Sequence, residues 1–237
     1  MALTRLCESR PVHLAVLDLY TGNPNMPPSL ERVRVLKRRF PRVGLIAYVS
    51  PVTARPRDMF DAGRFGLDGL IVADVDDAPG ALLAHVEKAE ARSVASVVLP
   101  AVAELKGLVR DAVLASVTRA HEGLTADGLA RLLVVPRRSL IRQLGDAGFP
   151  APQQLLIWGR LILAAHLLED EQRSANGVAP MLDFPSGSAF RNACRRYLGA
   201  TPGAIRDRGG AAYVIATLMA RARLHDPGLD SEGTRQS

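Results

Sequence analysis

Short apolar runs, each bounded by turn-forming residues, alternate in the first part of the chain with segments whose apolar positions recur every three or four residues. The run from Val12 to Leu19 lies between Pro11 and the turn-rich TGNPNMPP, which predicts a buried strand. Ser29 then precedes LERVRVLKRRF, where Leu30, Val33, Leu36 and Phe40 share one face of a helix that Ser29 caps and Pro41 stops. A second buried strand is predicted over Val43 to Ser50 and a short helix over RPRDMFDAGRFG. A third strand over Leu67 to Asp74 and a helix over Asp77 to Ala91 close the unit. Strands that alternate with helices imply a parallel sheet with helices on both faces, so residues 1–92 read as an α/β domain.

Residues 93–120 read as a connector. SVASVVLP is apolar, and Leu105, Leu108, Val109, Ala112, Val113, Ser116 and Val117 then recur at helical intervals. A stripe so apolar must be covered. Its own domain or a second copy across a dimer seam would serve, and the sequence leaves both open.

From Thr125 onward the pattern is helical, and residues 121–208 read as an all-α domain. Thr125 caps a helix with Leu129, Ala130, Leu132 and Leu133 inward. After a VVP turn, a second helix buries Leu140 and Leu144 and leaves Arg137, Arg138, Ile141 and Arg142 outside. Two short helices around a tight turn make a helix-turn-helix, whose second helix enters the major groove of DNA. GFPAPQQLL leads into a long apolar helix, WGRLILAAHLL. A second pair of similar size follows in RSANGVAPMLDFPSGSAFRNACRRYLGATPGAIR. Phe190 and Tyr197 share a face and read as core, and Gly199 before Thr201-Pro202 ends one helix and starts another. Residues 209–237 add one further helix, Ala211 to Leu224, and a polar tail from His225.

The series A-P-x-x-x-L, R-L-x-x-A-x-x-L-L, D-F-x-S-x-S-x-F and G-A-T-P-x-x-I-R resembles the DNA-binding domain of AraC-family transcription regulators, over about residues 109–206. The resemblance implies two helix-turn-helix units joined by one long helix (Pro152 to Glu169), each unit reading a major groove. It places base contacts on Arg138, Ile141 and Arg142 in the first unit and on Gly187, Ser188 and Asn192 in the second. Arg191, Arg195 and Arg196 stand nearby as phosphate-contact candidates, and Arg137 is a further DNA-binding candidate on the first unit. The second unit departs from the family: Asp183 stands where the turn has glycine, and Pro180 interrupts the supporting helix. These departures predict a weakened second reader.

The first domain resembles the later half of a response-regulator receiver, with one strand ending in Asp18, the next in Ser50, and a Gly-x-Asp-Gly turn at Gly66 to Gly69. The receiver's acidic pair has no room before Asp18, and Ala73 stands where its lysine would fall. Phosphoryl transfer needs Mg²⁺ and a cation to neutralise developing charge, so Asp18 is expected to be an ordinary strand-end residue.

Charge permits an anionic partner without locating it. The net charge is +6, but the basic residues are 27 arginines and three lysines, so a single arginine carries little weight by itself. Cys7 and Cys194 make no metal or redox spacing, and no nucleophile with base, carboxylate pair or glycine-rich phosphate loop marks an enzyme. No cofactor is implied. No apolar run is long enough to span a membrane, and the expected location is the cytoplasm. The partners implied are double-stranded DNA, with RNA polymerase and a second copy of the chain as further candidates. An AraC-like interaction protein that no longer reads bases is the competing reading.

Overall fold

The computed structural model describes residues 2–9, 12–20, 28–52 and 55–224. The turn predicted at TGNPNMPP lies mostly outside these residues, and the tail from His225 wholly so. The chain divides into two compact units, residues 1–96 and 97–237.

The first unit is built on three parallel strands, β1 (Leu14–Leu17), β2 (Gly44–Val49) and β3 (Gly69–Val72), paired in that order. Alternation along the strands sorts their side chains onto two faces. Ala15, Leu45, Ala47 and Val49 pack with α1 (Ala2–Ser9), α2 (Leu30–Arg39) and α3 (Pro56–Arg64), through Leu3, Cys7, Val33, Leu36, Met59 and Ala62. Ile46 and Ile71 face the other way, onto Val86 and Ala89 of α4 (Pro79–Val102). The parallel sheet covered on both faces is therefore as the pattern predicted.

Three details differ. Residues 2–9 form a helix that the sequence reading left unassigned. Ser29 precedes α2 without a side-chain capping bond. The closing helix runs on past Ala91 and through Pro100 to Val102, so SVASVVLP belongs to it. Pro100 gives up its own bond to the Ser96 carbonyl, and the helix ends two residues later.

One polar knot in this unit has no sequence signature. The Asp68 carboxylate accepts from the Leu45 N–H at 2.8 Å and pairs with Lys37 Nζ at 2.6 Å, and Lys37 also donates to the Val43 carbonyl at 2.8 Å. This joins α2, β2 and the turn before β3. Gly66 makes room for it, with φ at +102° and the Lys37 stem lying where a Cβ would project. Asp68→Ala leaves a half-buried ammonium and a backbone N–H without their acceptor, and is expected to destabilise the unit by about 2 kcal/mol. Chemical denaturation of the variant against the parent chain measures this; equal midpoints would show the knot to be incidental.

The second unit is helical: α5 (Gly107–Thr118), α6 (Ala126–Leu132), α7 (Arg137–Asp146), α8 (Pro152–Leu167), α9 (Ala175–Met181), α10 (Gly187–Leu198), α11 (Pro202–Asp207) and α12 (Gly210–Leu224). Its axis is α8, buried along almost its whole length. The connector stripe is covered within the chain. Val109, Ala112, Val113, Ser116 and Val117 are buried, and α5 packs on α8 within the unit. The contact is tight because position 159 is glycine: a Cβ there would lie 2.0 Å from the Ser116 carbonyl oxygen.

Candidate nucleic-acid interface

The two helical pairs, α6–α7 and α9–α10, repeat the same construction. Each first helix is capped by a hydroxyl. Thr125 Oγ1 accepts from the Gly128 N–H at 3.0 Å, and Ser174 Oγ accepts from the Gly177 N–H at 3.2 Å. Each ends on leucine, Leu133 or Leu182, and then turns through one residue in the left-handed region, Val134 (φ 55°) or Asp183 (φ 53°). Asp183 thus takes the left-handed conformation at the position where the family's turn has glycine. Pro180 does not end α9, which continues to Met181; the proline lies exposed in the last turn.

Val134 is the more strained of the two turn residues. A β-branched residue loses roughly 1–2 kcal/mol in this conformation, and Val134 is 89% exposed, so no packing offsets the loss. Val134→Gly is expected to stabilise the unit by about 1 kcal/mol. Asp183→Gly should gain less, because aspartate tolerates the conformation and pairs with Arg160 at 3.8 Å. Thermal unfolding of the two variants gives the comparison, and a lower midpoint for Val134→Gly would contradict the strain.

On α7, Leu140 and Leu144 are buried and Ile141 is exposed, as the helical face predicted. Leu132, expected inward on α6, is instead exposed. Arg137 is engaged: its guanidinium lies 3.1 and 3.3 Å from the two oxygens of Asp127. Arg138 and Arg142 project one turn apart from the exposed face, and among the described residues neither makes an ion pair or hydrogen bond. Two unengaged, long, fork-shaped donors on one exposed helix face suit guanine edges or phosphates.

The equivalent face of α10 is more occupied. Gly187 is where α9 and α10 touch: a Cβ there would lie 2.0 Å from Asn176 Oδ1. Arg191 donates to that same oxygen at 3.1 Å and to Ser188 Oγ at 3.1 Å. Asn192, Arg195 and Arg196 are exposed, with the Arg196 guanidinium 5.5 Å from the Tyr197 ring centre. Ser186 caps the helix through the Ala189 N–H, whereas α7 begins after Pro136 with no side-chain cap. The Asn176–Arg191–Ser188 network joins two helices at residues far apart in the chain, and spacing along the sequence gave no sign of it.

Other motif residues act as structure. Phe190 is buried with its ring 5.2 Å from that of Phe184, while Tyr197 is only half-buried. Arg206 donates to the carbonyls of Leu168 and Arg173, tying α11 to the end of α8. Gly199 closes α10 at φ 64°, and Thr201 Oγ1 caps α11 through the Ala204 N–H. Cys194 is in the core, where burial pushes its thiol up to about 12, so it stays protonated and packs as an apolar group. No helix among the described residues is long and apolar enough to cross a membrane.

A family model described as a helix-turn-helix domain matches residues 129–208, from the middle of α6 to the residue after α11. Comparison with curated proteins and with solved structures gives no match. The second unit of this chain thus carries, over residues 129–208, a region similar to the helix-turn-helix DNA-binding domain of AraC type.

Proposed function

We propose that this chain is a sequence-specific regulator of transcription that binds double-stranded DNA through both helical pairs, with α7 and α10 in successive major grooves and α7 supplying most of the base discrimination. The observation that carries this reading is the contrast between the two helices. Arg138 and Arg142 stand unengaged on the exposed face of α7, whereas Gly187 is covered by Asn176 and Ser188 is held by Arg191 on α10. The competing reading, an interaction protein that has lost base readout, rests on Pro180, Asp183 and the modest charge of the helical half. Since α9 continues through the one and the turn is formed at the other, neither breaks the second pair. Mapping of bound DNA across the genome tests the proposal: recovered fragments should share a sequence motif, and a set with no common motif would favour the interaction protein.

The first unit fits a receiver-like scaffold that takes no phosphate. Its strands are parallel and paired in chain order, and Asp18 at the end of β1 accepts from the Tyr20 N–H at 2.9 Å. Ala73 follows β3 where a lysine would be needed. Acetyl phosphate with Mg²⁺ is expected to leave the mass of the chain and its DNA affinity unchanged. A stoichiometric phosphoryl adduct on Asp18 would overturn this reading of the unit.

A further inference from the structure

In both helical pairs the second residue of the first helix, two places after the capping hydroxyl, accepts from an arginine of the following helix. On α6 it is Asp127, whose oxygens lie 3.1 and 3.3 Å from Arg137. On α9 it is Asn176, whose Oδ1 accepts from Arg191 Nη1 at 3.1 Å. The consequences for charge are opposite. Asp127 neutralises its arginine, whereas Asn176 leaves Arg191 its whole charge. Arg191 Nη2 also donates to Ser188 Oγ at 3.1 Å, one turn earlier on α10, and among the described residues Arg191 makes no ion pair. Two neutral acceptors therefore fix a half-buried guanidinium that has further N–H groups to give. Gly187 permits the arrangement, because Asn176 Oδ1 lies 2.0 Å from where its Cβ would be.

We propose that Asn176 is a positioning residue that holds Arg191, fully charged, as a clamp on one phosphate of duplex DNA beside α10. Each Nη of Arg191 already donates once within the protein, which spoils the paired approach to a guanine edge. A phosphate oxygen accepts from any single N–H of the fork. An arginine already held in place also loses less side-chain freedom on binding than a free one. The pair α9–α10 then anchors the chain without regard to sequence, while Arg138 and Arg142 of α7 read it. The clamp rests on the reading of the second unit as a DNA-binding domain.

The test uses the full chain, a genomic site recovered with it and a scrambled duplex of the same composition, at two salt concentrations. Asn176→Asp keeps the acceptor, suits the positive start of α9 and neutralises Arg191. It should weaken both duplexes about tenfold and lower the salt slope by about one. Asn176→Ala removes the positioning and leaves the charge. It should weaken both duplexes roughly fivefold with the slope unchanged, and should change nothing in a chain that already carries Arg191→Ala. The proposal is overturned if Asn176→Asp binds as the parent does. A loss confined to the recovered site also overturns it, since Arg191 would then read a base. So does an Asn176→Ala loss that is as large in the Arg191→Ala chain as in the parent, the sign of a merely structural role. Thermal unfolding establishes that each variant is folded, and should Arg191→Ala not fold, Asn176→Asp in the parent decides alone. A parent chain that binds neither duplex removes the DNA-binding reading and the clamp together, whereas a binding parent with an unaffected Asn176→Asp removes the clamp only.

Discussion

Gly159→Ala is expected to be the most damaging single methyl in the second unit. The new Cβ would lie 2.0 Å from the Ser116 carbonyl oxygen and 2.4 Å from its carbon, and both belong to backbone that no rotamer change can move. Relief requires α5 and α8 to separate along the interface where Val109, Ala112, Val113 and Val117 are buried. Overpacking of this kind costs about 3 kcal/mol, and the gain of roughly 1 kcal/mol in helix propensity from replacing glycine does not offset it. Gly203→Ala is the matched control, because a Cβ at that position meets nothing within 4 Å. Thermal unfolding should show a large loss for Gly159→Ala and a midpoint at or slightly above the parent for Gly203→Ala. Equal midpoints for all three chains would mean that α5 does not sit against α8 as described.

The second large effect is on recognition. Arg138→Ala and Arg142→Ala should each remove roughly 1–3 kcal/mol of discrimination against single-base variants of the bound site, the worth of a bidentate arginine–guanine contact. Random-duplex affinity should fall much less, since a phosphate contact alone weakens all sequences alike and lowers the salt slope by about one. Ser188→Ala and Asn192→Ala should relax sequence preference less, because Ser188 is already bonded to Arg191 and the start of α10 is drawn against Asn176. Affinities for the site, its variants and random duplex at two salt concentrations separate these terms. If Asn192→Ala abolishes discrimination and the two arginine variants keep it, the helices have been assigned the wrong way round.

What could be read from the sequence was whatever rests on local periodicity. The three strands, the buried positions of α7 and α8, the Thr125 cap and the Gly199–Thr201–Pro202 junction all follow from neighbours a few residues apart. What could not be read depends on contacts between distant residues. The Lys37–Asp68 pair, the approach of Gly159 to Ser116 and the Asn176–Arg191 bond give no periodic signal. The connector stripe shows the boundary between the two: its apolarity was plain, but only the fold says that α8 covers it. Pro180 misleads as an interruption of its helix: it forfeits the bond to the Asn176 carbonyl four residues back, yet α9 continues past it to Met181, as α4 continues past Pro100 to Val102.

The claim that this chain reads DNA sequence is tested most directly by one pair of affinities, for a genomic site recovered with the protein and for a scrambled duplex of equal length and composition, measured near physiological salt. The recovered site is expected to bind roughly a thousandfold or more tightly than the scrambled one, the lower end of the range for specific regulators. Both affinities should fall as salt rises, the scrambled duplex because phosphate contacts are all it offers. Equal affinity for the two duplexes would contradict the account, because unengaged arginines on α7 would then be serving charge alone.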